Sequence, residues 1–219
     1  MPTLTGISAP PRFALHELAY LLVGRDDASA VKTREVFGIP EIEADGELFR
    51  TGLSSLVARG LIEENQESIL PRNEAGLVGF GLGTATRWIS VAIRATEGAD
   101  IVVFVQGHKV AFMVRGAPAA TFDFVPTRPD LTAASVALEA IAGQLAKLDE
   151  FAMMLRVATV SEDSALFVSR TAEHGFRIGL DPVFPGDENW PAPDLELTDA
   201  TEAQVTDQIT RFVTGETTE

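Results

Sequence analysis

Cysteine is missing from all 219 residues, which excludes disulfides, thiol catalysis and thiolate metal sites together. Long apolar runs are missing too. No stretch approaches the roughly eighteen residues that a membrane-spanning helix needs, and the opening "MPTLTGISAPPRF" lacks the apolar centre of a secretion signal. Cations are scarce: 17 Lys and Arg stand against 32 Asp and Glu, a formal charge of −15. Residues 181–219 hold ten of the acids and a single base, Arg211. An acidic surface repels the phosphates that supply most nucleic-acid affinity, and it repels anionic membranes for the same reason. The expectation is a cytoplasmic protein that binds neither nucleic acid nor a membrane.

Catalytic patterns are equally sparse. His16, His108 and His174 lie far apart, and none belongs to an H-x-x-x-H or H-E-x-x-H pair, so no zinc site is nominated. No G-x-S-x-G elbow is present. Gly79, Gly81 and Gly83 invite a phosphate-cradle reading, but Thr84 stands at the last fingerprint position and no P-loop lysine follows. Close packing of a small-faced helix accounts better for these glycines. The carboxylate pairs Glu63-Glu64 and Glu162-Asp163 fall in expected loops. The chain is read as a non-enzyme with no cofactor and no metal.

What is present is a core and a repeated plan. Hydrophobic residues make up 46% of the chain, enough for one domain over 1–219. Helical spacing over Phe13–Val23, a second candidate over Ala28–Val36, and Leu48, Gly52, Leu53, Leu56 and Val57 on one face of a third predict an N-terminal helical bundle over 13–62. Gly60 suits the end of that third helix, and "EENQES" reads as a polar loop. Residues 74–125 then give a helix followed by the strands "WISVAIRA", "DIVVFVQ" and "KVAFMVR". Residues 131–180 repeat the order, with "FAMMLRVATV", "ALFVSR" and "FRIGL" after a helix spaced as Leu131, Ala134, Leu138, Ile141, Leu145 and Leu148. Arg94 and Arg156 sit late in the first strand of each copy. Gly107-His108 and His174-Gly175 mark the later turns. A Pro-rich linker over 181–197 precedes a last helix over 198–214, with Asp199 and Glu202 in capping-box spacing. The expected fold is α+β: a central antiparallel sheet built from two similar helix-plus-three-strand halves about a pseudo-two-fold axis, flanked by helical bundles.

With Gly107 and His108 at the centre of the turn, Val105 opposes Val110, Val103 opposes Phe112 and Ile101 opposes Val114. That apolar face belongs in the core. Alternation sends Val102, Phe104, Lys109, Ala111, Met113 and Arg115 to the other face, which is the candidate contact surface for a protein partner. Phe104 and Met113 supply an adaptable apolar anchor, while Lys109 and Arg115 orient an acidic or carbonyl-rich partner. The alternative is that the final helix or the N-terminal bundle covers this face.

The stretch "LSSLVARGLIEEN" is similar to the recognition-helix end of winged-helix DNA-binding domains, a reading that exposes Glu47, Arg50, Ser54 and Arg59 on the helix and leaves the repeated sheet unexplained. A second resemblance takes in residues 13–180. The order of helix bundle, "LVARGLI", loop, helix, "RWISVAIRA" and the hairpin "VVFVQGHKVAFMVRG" resembles the EspG-like chaperones of actinobacterial type VII secretion, including the Arg87-Trp88-Ile89 strand start. The resemblance implies a quasi-two-fold antiparallel sheet with helical bundles. It also implies a cytosolic, non-enzymatic adapter that covers the aggregation-prone tip of a small helical secretion substrate. The Pro-rich linker and the acidic final helix lie outside it.

Overall fold

A computed structural model of the chain describes residues 9–43, 46–65, 68–96, 98–181 and 195–216. The linker expected over 181–197 lies mostly outside the described residues. The chain opens with β1 (Arg12–Ala14), α1 (Leu15–Leu21), α2 (Ala28–Phe37) and α3 (Glu47–Ala58). A small hairpin of β2 (Ile62–Asn65) and β3 (Ser68–Pro71) follows, then α4 (Asn73–Gly83). Four strands come next, β4 (Arg87–Ala95), β5 (Gly98–Gln106), β6 (Ala111–Ala117) and β7 (Thr121–Pro126), then α5 (Ala133–Leu145). The chain closes with β8 (Phe151–Thr159), β9 (Asp163–Thr171), β10 (Gly175–Asp181), β11 (Thr198–Ala200) and α6 (Glu202–Thr214).

Local chemistry sets the helix ends. Asp27 caps α2 by accepting the Ala30 N–H at 3.0 Å, and Gly60, at φ +69°, turns the chain out of α3 in the left-handed region. The cap expected at Asp199 falls instead at Thr201, whose hydroxyl accepts the Gln204 N–H while Gln204 Oε1 accepts the Thr201 N–H at 2.8 Å. Asp199 is already committed to β11, where it pairs with Arg177 across the ladder. The polar run expected as a loop forms β2 and β3, with Ile62 buried beneath and an Arg72–Glu63 ion pair beside it.

Among the described residues, nine strands form one antiparallel sheet in the order β1-β7-β6-β5-β4-β8-β9-β10-β11. The centre is the β4–β8 ladder, Arg87 opposite Thr159 through Arg94 opposite Ala152. Helices cover both faces. One face carries Trp88, Val105, Phe112, Val114 and Phe124 into a core with α1 to α4. The other carries Ile89, Val91, Phe104, Leu155, Leu166 and Ile178 into a second core with α5 and α6. Here the expected helix-plus-three-strand units meet a difference. A two-fold axis between antiparallel neighbours maps each face of a sheet onto itself, yet α4 lies on one face and α5 on the other. A two-fold axis of this kind therefore does not relate α4 to α5, against the expected pair of helix-plus-three-strand halves.

Two charge clusters fasten the bundle. Glu17, buried in α1, accepts from Ser55 Oγ at 2.7 Å, from the Ala14 N–H at 2.9 Å and twice from Arg59, at the C-terminal cap of α3, at 2.8 and 2.7 Å. Burial alone would raise its pKa, but these bonds outweigh burial and hold it below the ordinary value. Farther along, Arg156 of β8 is only 7% exposed. It donates from Nε and Nη2 to Asp163 at 2.8 and 2.6 Å and from Nη2 to Glu35 of α2 at 2.8 Å, while Lys32 reaches Asp163 at 2.6 Å.

One turn departs from easy backbone geometry. Ala119 and Ala120, between β6 and β7, take φ of +61° and +51°. A left-handed alanine costs about 1–2 kcal/mol relative to its ordinary conformations, and glycine removes that cost while adding some unfolded-chain entropy. Ala119→Gly is expected to raise stability by about 0.5–1 kcal/mol, measured as a higher midpoint in urea. A lower midpoint would show that the turn carries no such strain.

Candidate functional site

The nominated residues lie on the β5–β6 hairpin, whose turn centre differs from expectation by one residue. Gly107 pairs with Val110 through a 2.8 Å bond from the Gly107 N–H, leaving His108 and Lys109 at the tip. Val103 therefore opposes Val114, Phe104 opposes Met113 and Val105 opposes Phe112. Moving a turn by one residue moves the pairing by two, and alternation has period two, so each side chain keeps its face. Val105, Phe112 and Val114 are buried and Val103 is half-buried, whereas Ile101, expected in the core, is 58% exposed. The bundle reaches only the tip end of this face.

On the opposite face the six nominated residues part company. Phe104 is 1% exposed and Ala111 is buried; Val102 and Met113 are half-buried; Lys109 and Arg115 are exposed. Lys109 lies at the hairpin tip and Arg115 near the other end of β6, about 20 Å away at roughly 3.3 Å per residue. They cannot orient the same group. The cover over this face is α5, and α6 lies beyond it over the β8–β10 side.

How α5 sits decides what stays open. The spacing in its sequence puts Leu138, Ile141, Leu145 and Leu148 on the inward stripe; Ile141 is buried there, but its fully buried companions are Ala133 and Ala137, and the three leucines are only half-buried. Gln106 Oε1 pins the first turn by accepting the Ala133 N–H at 2.9 Å, and Thr132 accepts the Ser135 N–H at 3.1 Å as its cap. Small side chains let the helix approach closely while the larger leucines splay to either flank. Between α5 and the ends of β4, β5 and β6 this leaves a groove of about 330 Å³. Its floor is Val91, Ile93, Val102, Phe104 and Met113; α5 supplies Ala140 and Ile141, and Leu148 follows from the segment just past the helix. Polar groups stand at its mouth: Gln144 of α5, and Arg115, whose Nη2 donates to Asp100 at 3.1 Å. A second groove of about 310 Å³ runs along the other flank, between α5 and α6 over Phe176, and Ile141 borders both.

Of the residues that α5 and the segment after it bring to this groove, the helical stripe of the sequence includes Ile141 and Leu148. Nothing local in the sequence marks Ala140 or Gln144; only the three-dimensional seat of the helix does.

Other sequence candidates take structural places. Gly81 packs so closely that an added Cβ would lie 2.3 Å from Phe112 Cε2, and one at Gly79 would touch Leu21; these glycines face protein, as close packing predicted. His108 and His174 are exposed in separate turns, and among the described residues no three His, Asp or Glu side chains gather as a metal site would require. On α3 the exposed face carries Glu47, Arg50 and Ser54, while Arg59 is held by Glu17. No described helix is long and apolar enough to cross a membrane. Among known proteins, no family model matches this chain, and no curated protein matches it.

Proposed function

We propose that this chain is a non-enzymatic cytosolic adapter that holds the apolar tip of a small helical protein, a type VII secretion substrate by the resemblance of its pattern order, in the groove between α5 and the β4–β6 ends. The single observation that carries this reading is the convergence of Val102, Phe104, Met113 and Arg115 with α5 on one apolar-floored, polar-mouthed groove. Such a surface suits a tip with bulky side chains, because an apolar centre supplies affinity and a polar rim supplies orientation. Related halves belong to the same reading. The strand order runs outward from β4–β8 as β5, β6, β7 on one side and β9, β10, β11 on the other. Equating Arg94 with Arg156 makes Ala92 equivalent to Met154, and these two are direct ladder partners. A superposition of β4–β6 on β8–β10 that failed to bring Ala92 onto Met154 would remove the halves from this reading.

The test is co-purification with candidate small helical secretion substrates co-expressed with this chain, comparing the parent with Met113→Asp and Leu148→Asp. These half-buried positions line opposite walls of the groove. Each substitution is expected to weaken binding by about tenfold or more, the scale of a central anchor. Undiminished binding by both folded variants would move the partner off this groove.

One observation favours a winged-helix reading: α3 runs directly into the β2–β3 hairpin, in the order of a recognition helix and its wing. Against it stand the mixed charge of the exposed α3 face and the loss of Arg59 to Glu17. Fluorescence anisotropy with a mixed-sequence duplex at low salt separates the two. Salt-sensitive binding would favour the winged helix, and none is expected.

A further inference from the structure

We infer that the groove beneath α5 also binds a free small molecule: a single unbranched aliphatic chain ending in a carbonyl group, either a carboxylate or an amide. This goes beyond the adapter reading and does not depend on it. Size comes first. A cavity of about 330 Å³ lies at the small end of the ~300–1,000 Å³ range of ligand sites, large enough for one chain and too small for a fused-ring or multi-chain lipid. Wall chemistry comes second. Val91, Ile93, Val102, Phe104 and Met113 below and Ile141 above offer no hydrogen-bonding side-chain group, so the part that enters must be apolar throughout. A methionine in the wall accommodates a flexible chain more readily than a rigid ring.

The mouth specifies the head. Arg115 uses one of its five N–H donors on Asp100, and the carboxylate neutralises its charge without consuming the other donors. Gln144 adds an amide at the same rim. Donors outnumber acceptors there and the rim is near electrical neutrality, so an acceptor head is favoured over a cationic one. A carbonyl oxygen of either an acid or an amide meets this requirement. A quaternary ammonium head would find the Asp100 charge already balanced by Arg115 and would give the Arg115 and Gln144 N–H groups no acceptor.

Isothermal titration with decanoate, decanamide and decyltrimethylammonium, each kept below its micelle concentration, tests the assignment on the full chain. Decanoate and decanamide are expected to bind with one-to-one stoichiometry, and decyltrimethylammonium at least about tenfold more weakly, the worth of a well-placed polar contact. Two blocking variants fill the groove from opposite walls, Met113→Trp from the sheet and Ala140→Phe from α5. Binding by either folded variant is expected to disappear, while Leu145→Gln, in the neighbouring groove, is expected to leave it unchanged. Absence of binding by the parent, equal binding of all three heads, or parent-like binding by a folded blocking variant would each overturn the inference. These outcomes are read without any protein partner, so they stand apart from the fate of the adapter reading.

Discussion

Gly52→Ala is expected to cost about 3 kcal/mol, at the upper end of what overpacking a core costs, although alanine usually stabilises a helix interior by about 0.5–1 kcal/mol over glycine. The reversal comes from the α1–α3 crossing. A Cβ at Gly52 would lie 2.3 Å from the His16 carbonyl oxygen and 2.8 Å from Tyr20 Cβ. Backbone is the obstacle, so no rotamer change relieves it, and the two helices must separate. Separation would also stretch the Glu17–Arg59 and Glu17–Ser55 bonds that join the same pair. The comparison is Gly143→Ala in α5, where an added Cβ meets nothing within 4 Å; it should gain about 0.5–1 kcal/mol from helix propensity alone. Urea titrations of the two variants should move in opposite directions, and a Gly52→Ala protein as stable as the parent would refute the close crossing.

The second large effect belongs to Arg156. Replacing it with alanine leaves Asp163 and Glu35 with Lys32 alone, and removing one partner from a buried pair costs about 3–5 kcal/mol. Arg156→Lys is expected to recover only part of this, since an ammonium cannot span both Asp163 oxygens and Glu35 as the guanidinium does. The cluster also sets an acid limit. Burial pushes the Asp163 carboxyl toward protonation, but bonds from Arg156 and Lys32 prevail and hold its pKa below the ordinary value. Its folded pKa is thus depressed. The unfolded chain binds the proton more readily, so this stabilisation is full above the ordinary aspartate value of roughly 3.9 and is lost as pH falls through the folded pKa. Glu17 acts with the same sign. The parent should therefore lose stability on acidification below about pH 4, and Asp163→Asn should show a shallower loss over that interval. Equal slopes for parent and variant would place the acid sensitivity elsewhere.

Much of the fold was legible because its signals are periodic. Alternation assigned the faces of β5 and β6 even with the turn centre displaced. Other features carry no period. Three-residue strands such as β1 and β11 are shorter than any pattern can register, and β2–β3 hid in a charged run because its pairing is backbone work. The side a helix takes is a tertiary choice: α4 and α5 read alike as leads into strands, yet they occupy opposite faces. Glu35 and Arg156 meet across 121 residues, beyond any local signal. The candidate site was half legible for the same reason. Its sheet residues follow from alternation, while its α5 residues depend on alanines seating the helix and leucines spreading to its flanks.

Both borders of the sheet end in a strand of only three residues, β1 beside β7 and β11 beside β10. They arrive by different routes: β1 precedes every other strand in the chain, and β11 returns to its neighbour β10 after sixteen residues. Without them β7 and β10 would present six and seven residues of open hydrogen-bonding backbone, the template on which another chain can add itself indefinitely. A short terminal strand offers a newcomer too few pairings to hold. The salt link from Arg12 to Asp123, at 2.6 and 2.8 Å, rivets one of these guards in place. Trimming the chain before Ala14 should therefore show itself first as a colloidal defect, with fibril or oligomer growth at concentrations where the intact protein remains dispersed.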